Sequence, residues 1–300
     1  MGFKAVKWML WSAALLPMST VQADEPKKNV WPESWTQPRD AVRLFGNTYY
    51  VGTRGLTAVL IASADGHVLI DGSMPESAGL ILANVRKLGF SPTDIKYILN
   101  SHAHLDHSGG IAEIQKASGA IVLSSPAGAA ALRRGRGGPD DPQYSSIEPF
   151  PAVANVRELS EGQSINVAET SLTVHYTPGH TPGGTSWSWR SCEESRCLSF
   201  VYADSLNAVS ADDFRYSGDA RYPAAAKDLS ASIEKIAAMP CDVIVSAHPE
   251  GSDLFEKIAR REAGTADALI DPNGCRRYAE AAKKRLAERL ERERKEHAGD

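Results

Sequence analysis

The chain has 300 residues, 42% of them hydrophobic and 23% charged, with a formal net charge of −4 at neutral pH. Its apolar share supports a sizeable buried core and excludes a disordered chain, while the mildly acidic balance gives no electrostatic reason to seek nucleic acid. The length, with mixed strand and helix signals, fits one α/β domain.

The first stretch, MGFKAVKWMLWSAALLPMSTVQA, places Lys4 and Lys7 ahead of a short apolar run and ends in small residues at Val21 and Ala23. It reads as a secretory signal peptide over residues 1–23, leaving 24–300 as a single exported, periplasmic domain. The apolar run is short of the roughly 20 residues a membrane span needs, so no membrane association is expected after cleavage.

Strands follow around RLFGNTYYVGT, LTAVLIAS and HVLIDG, and Asp65-Gly66 marks a hairpin between the last two. In PESAGLILANVRKLGF the apolar period changes, with Leu80, Leu82, Val85 and Leu88 suiting an amphipathic helix that Pro75 opens and Gly89 ends. IKYILN then reads as a buried strand running into SHAHLDHSGG, followed by a helix in GGIAEIQKASG and a strand in AIVLSS. Residues 133–152 hold too much Gly, Pro and Asp for regular structure and are expected to form a long surface loop, its RRGRGG start a solvated basic turn.

The second half gives strands at SLTVHYT, GTSWSWR and LSFVYAD, a helix near AAAKDLSASIEKIAAM and the strand CDVIVSAH. The final helix, YAEAAKKRLAERLERERKEHAG, carries charge expected to be a solvated face. Four cysteines, Cys192, Cys197, Cys241 and Cys275, are present. In an exported chain an even count suggests two disulfides, with three connectivities open. CEESRC spans a short polar turn between strands, so Cys192–Cys197 is the easiest loop to close and Cys241–Cys275 follows by elimination.

Of the eight histidines, His102, His104, His107, His180 in TPGHTPGG and His248 in SAHPEG lie at strand ends or in Gly/Pro-rich turns. A histidine at the carboxyl end of a strand is held by the sheet while its ring projects into the crevice where α/β folds bind ligands. Imidazole and carboxylate are typical zinc ligands. Residues 102 and 104 are two apart, so in an extended segment both rings face one way and can share an ion, while Asp106 and His107 can turn towards a second. Two sets of three need two further histidines, which His180 and His248 supply. His67, His175 and His297 read as structural or exposed.

HAHLDH, TPGHTPGGTSWSW, VYADSL and PCDVIVSAHP together resemble the metallo-β-lactamases, specifically their third subclass, over nearly the whole mature chain. The resemblance implies a four-layer αββα sandwich with two Zn2+ ions: the first on His102, His104 and His180, the second on Asp106, His107 and His248. It implies hydrolysis of a small-molecule β-lactam (penicillins, cephalosporins, carbapenems), hence antibiotic resistance, by hydroxide generated at the metals and oriented by Asp106, in a chain expected to be monomeric. Ser205 stands where the first two subclasses have a cysteine, and Asn207 where the subclass often has a hydroxyl residue. Both are candidate substrate contacts, as is Gln143, which is otherwise a plain surface residue. Asp71 in LIDG either ties the site loops together from behind the ligands or caps a turn.

The enzyme alternative is a lactonase or thioesterase of the same fold, in which an aspartate at the position of Asp204 bridges both metals. The non-enzyme alternative is a periplasmic zinc-binding protein. The lactamase resemblance predicts Asp204 outside the ligand set and Ser205 facing the second zinc through water.

Overall fold

A computed structural model describes residues 1–3 and 31–297. Apart from Met1–Phe3, the expected signal peptide lies outside the described residues, as does the side chain of His297. The chain divides into two units, Met1–Trp31 and Pro32–Asp300, and all that follows concerns the second.

Short β-branched runs separated by turns build a seven-stranded sheet in sequence order: β1 (Val42–Phe45), β2 (Thr48–Tyr50), β3 (Val59–Ile61), β4 (His67–Ile70), β5 (Ile95–Leu99), β6 (Ile121–Ser124) and β7 (Val156–Glu158). Tight turns make the β1 to β4 pairings antiparallel. From β4 onwards the pairings are parallel, because helical crossovers separate the strands: α1 (Ala78–Lys87), then the single turn α2 (Leu105–Ser108) with α3 (Ile111–Ser118), then α4 (Pro126–Arg134). The second sheet runs β12 (Val243–Ser246), β11 (Arg196–Ala203), β10 (Thr185–Glu193), β9 (Thr170–Tyr176), β8 (Ser164–Val167). The helix α5 (Ala225–Ala238) lies between β11 and β12 in the chain and α6 (Leu254–Glu262) and α7 (Gly274–His297) follow them.

Strand alternation explains the layering. Val59, Ile61, Val68 and Ile70 face the same core as Val174, Trp187, Phe200, Tyr202 and Val245, so the two sheets pack face to face. The intervening Leu60, Leu69, Ile98 and Val122 are also buried, on the opposite face, which α3 and α4 cover. On the far side of the second sheet, Val201 and Ile244 pack with Leu229, Ile233, Ala279, Ala282 and Leu286 of α5 and α7. The result is the expected αββα sandwich. Cys192–Cys197 closes the β10–β11 hairpin, and Cys241–Cys275 ties the lead into β12 to the start of α7.

Three expectations need correction. The loop expected at 133–152 starts later, because Ser125 accepts from Gly128 N, Pro126 opens α4, and Gly135 ends it in a left-handed conformation, leaving Arg133 and Arg134 in its last turn. Nor is RRGRGG a turn throughout: Arg133 and Arg134 end α4, exposed as expected, with Arg133 bonded to the Glu158 carboxylate and Val156 O, and Arg136 lies over the Tyr144 ring. The charge on the last helix is not wholly solvated either, since Glu293 is 1% exposed.

Candidate metal centre

The site forms where strands of both sheets end. Asp71 follows β4, the His102 segment follows β5, Asp204 follows β11 and His248 follows β12, while His180 lies in the turn joining β9 to β10. Asp71 holds a left-handed backbone at φ 61°, a conformation that disfavours a side-chain-bearing residue and clusters at functional sites. Its carboxylate draws the strand ends together, accepting from Ser101 N at 2.7 Å, Ser101 Oγ at 2.6 Å and Tyr202 Oη at 2.7 Å. Asn100 adds a second tie, donating to His102 O at 2.8 Å and to Ser108 Oγ at 3.1 Å. From the other sheet, Thr185 N donates to Ser101 O and Trp187 Nε1 to Asn100 O, which gives the GTSWSW stretch its place in the site. Gly179 lets the His180 turn press on α5: a side-chain carbon there would lie 2.5 Å from Leu229.

Two sets of donor atoms result. His102, His104 and His180 are buried and offer nitrogens within 4.8 Å of one another. Beside them, Asp106 Oδ2, His107 Nε2 and His248 Nε2 form a triangle with edges of 3.1, 3.2 and 3.4 Å. Tetrahedral bonds of about 2.0–2.1 Å would separate ligand atoms by roughly 3.3–3.4 Å, so this triangle has the dimensions of a single-ion site. His102 also lies within 4.8 Å of Asp106 and His107, so the two sets adjoin.

The outward-facing nitrogens settle which ring atom each imidazole offers. His102 Nδ1 lies 2.7 Å from Asp204 Oδ1, His104 Nε2 3.0 Å from Asp141 Oδ2, and His180 Nδ1 2.9 Å from Asn207 O. His107 Nδ1 approaches Asp71 Oδ2 at 3.4 Å. The acceptors beside His102, His104 and His180 take the ring N–H and leave the opposite nitrogen with a lone pair, the arrangement metal-bound histidines need. His102 Nε2 is buried and has no hydrogen-bond partner, a costly state unless a cation completes it. The donor set therefore fits divalent metal of the zinc type.

Electrostatics follow from the crowding. Burial, reinforced by the charges of neighbouring imidazoles, holds His102 well below the usual histidine range and brings His180 down to about 3. Burial also opposes ionisation of Asp106, but His107 and His248 outweigh it and keep that carboxyl well below the ordinary range. His107 is pushed up to about 10: desolvation works against its charge, and Asp106 with Asp71 overcomes it.

The remaining candidates take varied positions. Gln143 Nε2 reaches His104 Nδ1 at 3.5 Å and His180 Nε2 at 3.4 Å, the two ring nitrogens turned away from Asp141 and Asn207. Asn207 meets His180 through its backbone oxygen, while its buried Oδ1 has no partner. Ser205 is buried, its N–H donating to Asp204 Oδ1 at 2.7 Å. His67 packs on Phe90, away from the centre. Asp141 was not foreseen: it sits beside Gln143 in the 133–152 stretch, but nothing local separates it from Asp140, and only its contact with His104 marks it out.

The sequence pattern of the Metallo-beta-lactamase superfamily matches residues 51–193. Among solved structures, Rm3 metallo-beta-lactamase is 50% identical, with a TM-score of 0.86 over 87% of this chain and 97% of that one. MEM-A1, a subclass B3 metallo-beta-lactamase isolated from a soil metagenome library, is 49% identical, with a TM-score of 0.86 over 87% of this chain and 99% of that one. A hydroxyacylglutathione hydrolase of Anaeromyxobacter dehalogenans is 32% identical over 56% of this chain and 52% of its own length. The chain thus spans about half the length of that curated relative, whereas it covers the two solved structures almost completely. With strand order, site geometry and near-complete coverage in agreement, this chain belongs to the metallo-beta-lactamase superfamily, within its B3 subclass.

Proposed function

We propose that this chain is a zinc-dependent β-lactamase that opens the amide of penicillins, cephalosporins and carbapenems, exported to the periplasm as a monomer after loss of residues 1–23. The observation that carries the reading is the pair of adjoining donor sets in a chain half identical to Rm3 metallo-beta-lactamase over 97% of the latter. His102, His104 and His180 would hold one ion and Asp106, His107 and His248 the other. Two such ions supply Lewis acidity, which activates water and polarises a carbonyl near neutral pH.

The protein's own groups do the rest. Asp106, kept ionised by its histidine neighbours, would orient the attacking water. Gln143 would offer its amide to the substrate from beside the first set, and Asn207, whose backbone oxygen meets His180, and Ser205, beside Asp204 after β11, would be the further substrate contacts. No helix among the described residues is long and apolar enough to cross a membrane, and two disulfides fit an oxidising compartment.

Asp204 favours this reading over a lactonase or thioesterase. Its Oδ1 is engaged by His102 Nδ1 and Ser205 N, the side of His102 away from the nitrogen left for metal. Comparing turnover of one penicillin, one carbapenem, one glutathione thioester and one acyl-homoserine lactone by purified protein tests the choice. Preference for the β-lactams is expected; preference for thioester or lactone would overturn it.

A further inference from the structure

The last helix reads from sequence as a charged rod, yet it grips the segment that faces the metal centre. Residues 204–217 carry Asp204, which engages His102 Nδ1, and Asn207, whose oxygen engages His180 Nδ1. Near the start of α7, Tyr278 Oη donates to Asp204 O at 2.8 Å. Near its end, Glu293 accepts from Tyr216 N at 3.0 Å and from Ser217 N at 2.6 Å. One turn earlier, Arg289 bonds Glu293 through Nε and reaches Ser210 Oγ and Phe214 O through Nη2.

Tyr216, so held, donates from Oη to Gly179 O at 3.0 Å, the residue before His180. A carboxylate at 1% exposure is expensive unless its oxygens are satisfied. Here two backbone N–H groups and a guanidinium satisfy it, and all of its partners belong to α7 or to the segment flanking the site. The strap is anchored at its other end by the Cys241–Cys275 bond.

We propose that α7 is a positioning strap for the first metal set, with Glu293 its key residue: through Tyr216 and the 204–217 segment it fixes the acceptors that orient His102 and His180. The inference rests on the two-metal reading above, and it makes the first set sensitive to Glu293 while leaving Asp106, His107 and His248 indifferent. Neither Glu293 nor Arg289 touches substrate or metal in this scheme.

The test combines Glu293→Gln, which keeps shape and removes charge, with backgrounds that each retain one set: His248→Ala and His180→Ala. Zinc affinity is read by chelator competition, and the retained site by its cobalt(II) absorption spectrum. In the His248→Ala background, Glu293→Gln should weaken zinc binding about tenfold, the lower end for loss of groups that orient ligands, and alter the cobalt spectrum. In the His180→Ala background it should change affinity less than twofold. Tyr216→Phe, which removes only the hydroxyl to Gly179, should act in the same direction if Glu293→Gln fails to fold. Leu286→Ala, which loosens the buried face of α7, should lower the melting temperature without the site-selective change. Equal effects in both backgrounds, or none in either, would overturn the strap. Failure of the two backgrounds to lose one zinc each would instead overturn the two-metal reading.

Discussion

His102 Nδ1 and Asp204 Oδ1 lie 2.7 Å apart, with both side chains wholly buried. The contact takes the ring proton of His102 and leaves Nε2 free for a cation, so Asp204 would act as an acceptor behind a metal ligand. Asp204→Asn keeps an oxygen that can accept from Nδ1, and should weaken zinc binding and turnover less than tenfold. Asp204→Ala strands the N–H in a dry site and should weaken them roughly 10–100-fold. Equal damage from both changes, measured by metal affinity and kcat/KM, would mark Asp204 as a ligand and favour the lactonase or thioesterase reading.

The metal-free chain should be most stable near pH 6.5. His102 and His180 sit below the ordinary value of 6.5, His180 at about 3. Below 6.5 the unfolded chain therefore binds protons that the folded chain refuses, and stability falls by about 1.4 kcal/mol per pH unit for each such group. His107 has the opposite sign: raised from 6.5 to about 10, its contribution is full below 6.5 and is lost as pH rises towards 10. Urea midpoints of the metal-free protein at pH 5, 6.5 and 9 should peak at the middle value. A higher midpoint at pH 5 would contradict the burial of neutral imidazoles.

Gln143 places its amide nitrogen 3.4–3.5 Å from nitrogens of His104 and His180. Gln143→Ala should leave zinc content unchanged and raise KM for a β-lactam several-fold, with a smaller fall in kcat. An unchanged KM would remove Gln143 from the substrate contacts.

Much of this was legible because it is periodic or local. The continuous apolar runs in LTAVLIAS and HVLIDG announce strands buried on both faces, the apolar stripe of ILANVRKL announces a helix face against a core, and the sheets and α1 follow. The histidines were legible because they cluster at strand ends. Asp141 and Glu293 were not, since an acid's partner far along the chain leaves no local trace: Asp141 meets His104, and Glu293 meets Tyr216 and Ser217. The helix α4 had its signals, Ser125 before it, Pro126 at its start and Gly135 after, but the glycine-rich residues beyond obscured them.

The Cys241–Cys275 bond closes a separation of 34 residues, for which chain entropy suggests about 3–4 kcal/mol of stability. Replacing both cysteines with serine should lower the unfolding free energy by that amount, measured by urea denaturation with zinc present. A loss below about 1 kcal/mol would mean that the bond constrains the unfolded chain far less than its loop length implies.

Two metal ions, held by the six residues of the two sets, would make this chain a β-lactamase. Titrating metal-free protein with zinc while following β-lactam ring opening tests it directly. Hydrolysis should be absent without metal, rise with added zinc and level off at two equivalents per chain. Full hydrolysis by metal-free protein, or two bound zincs with no ring opening, would contradict it.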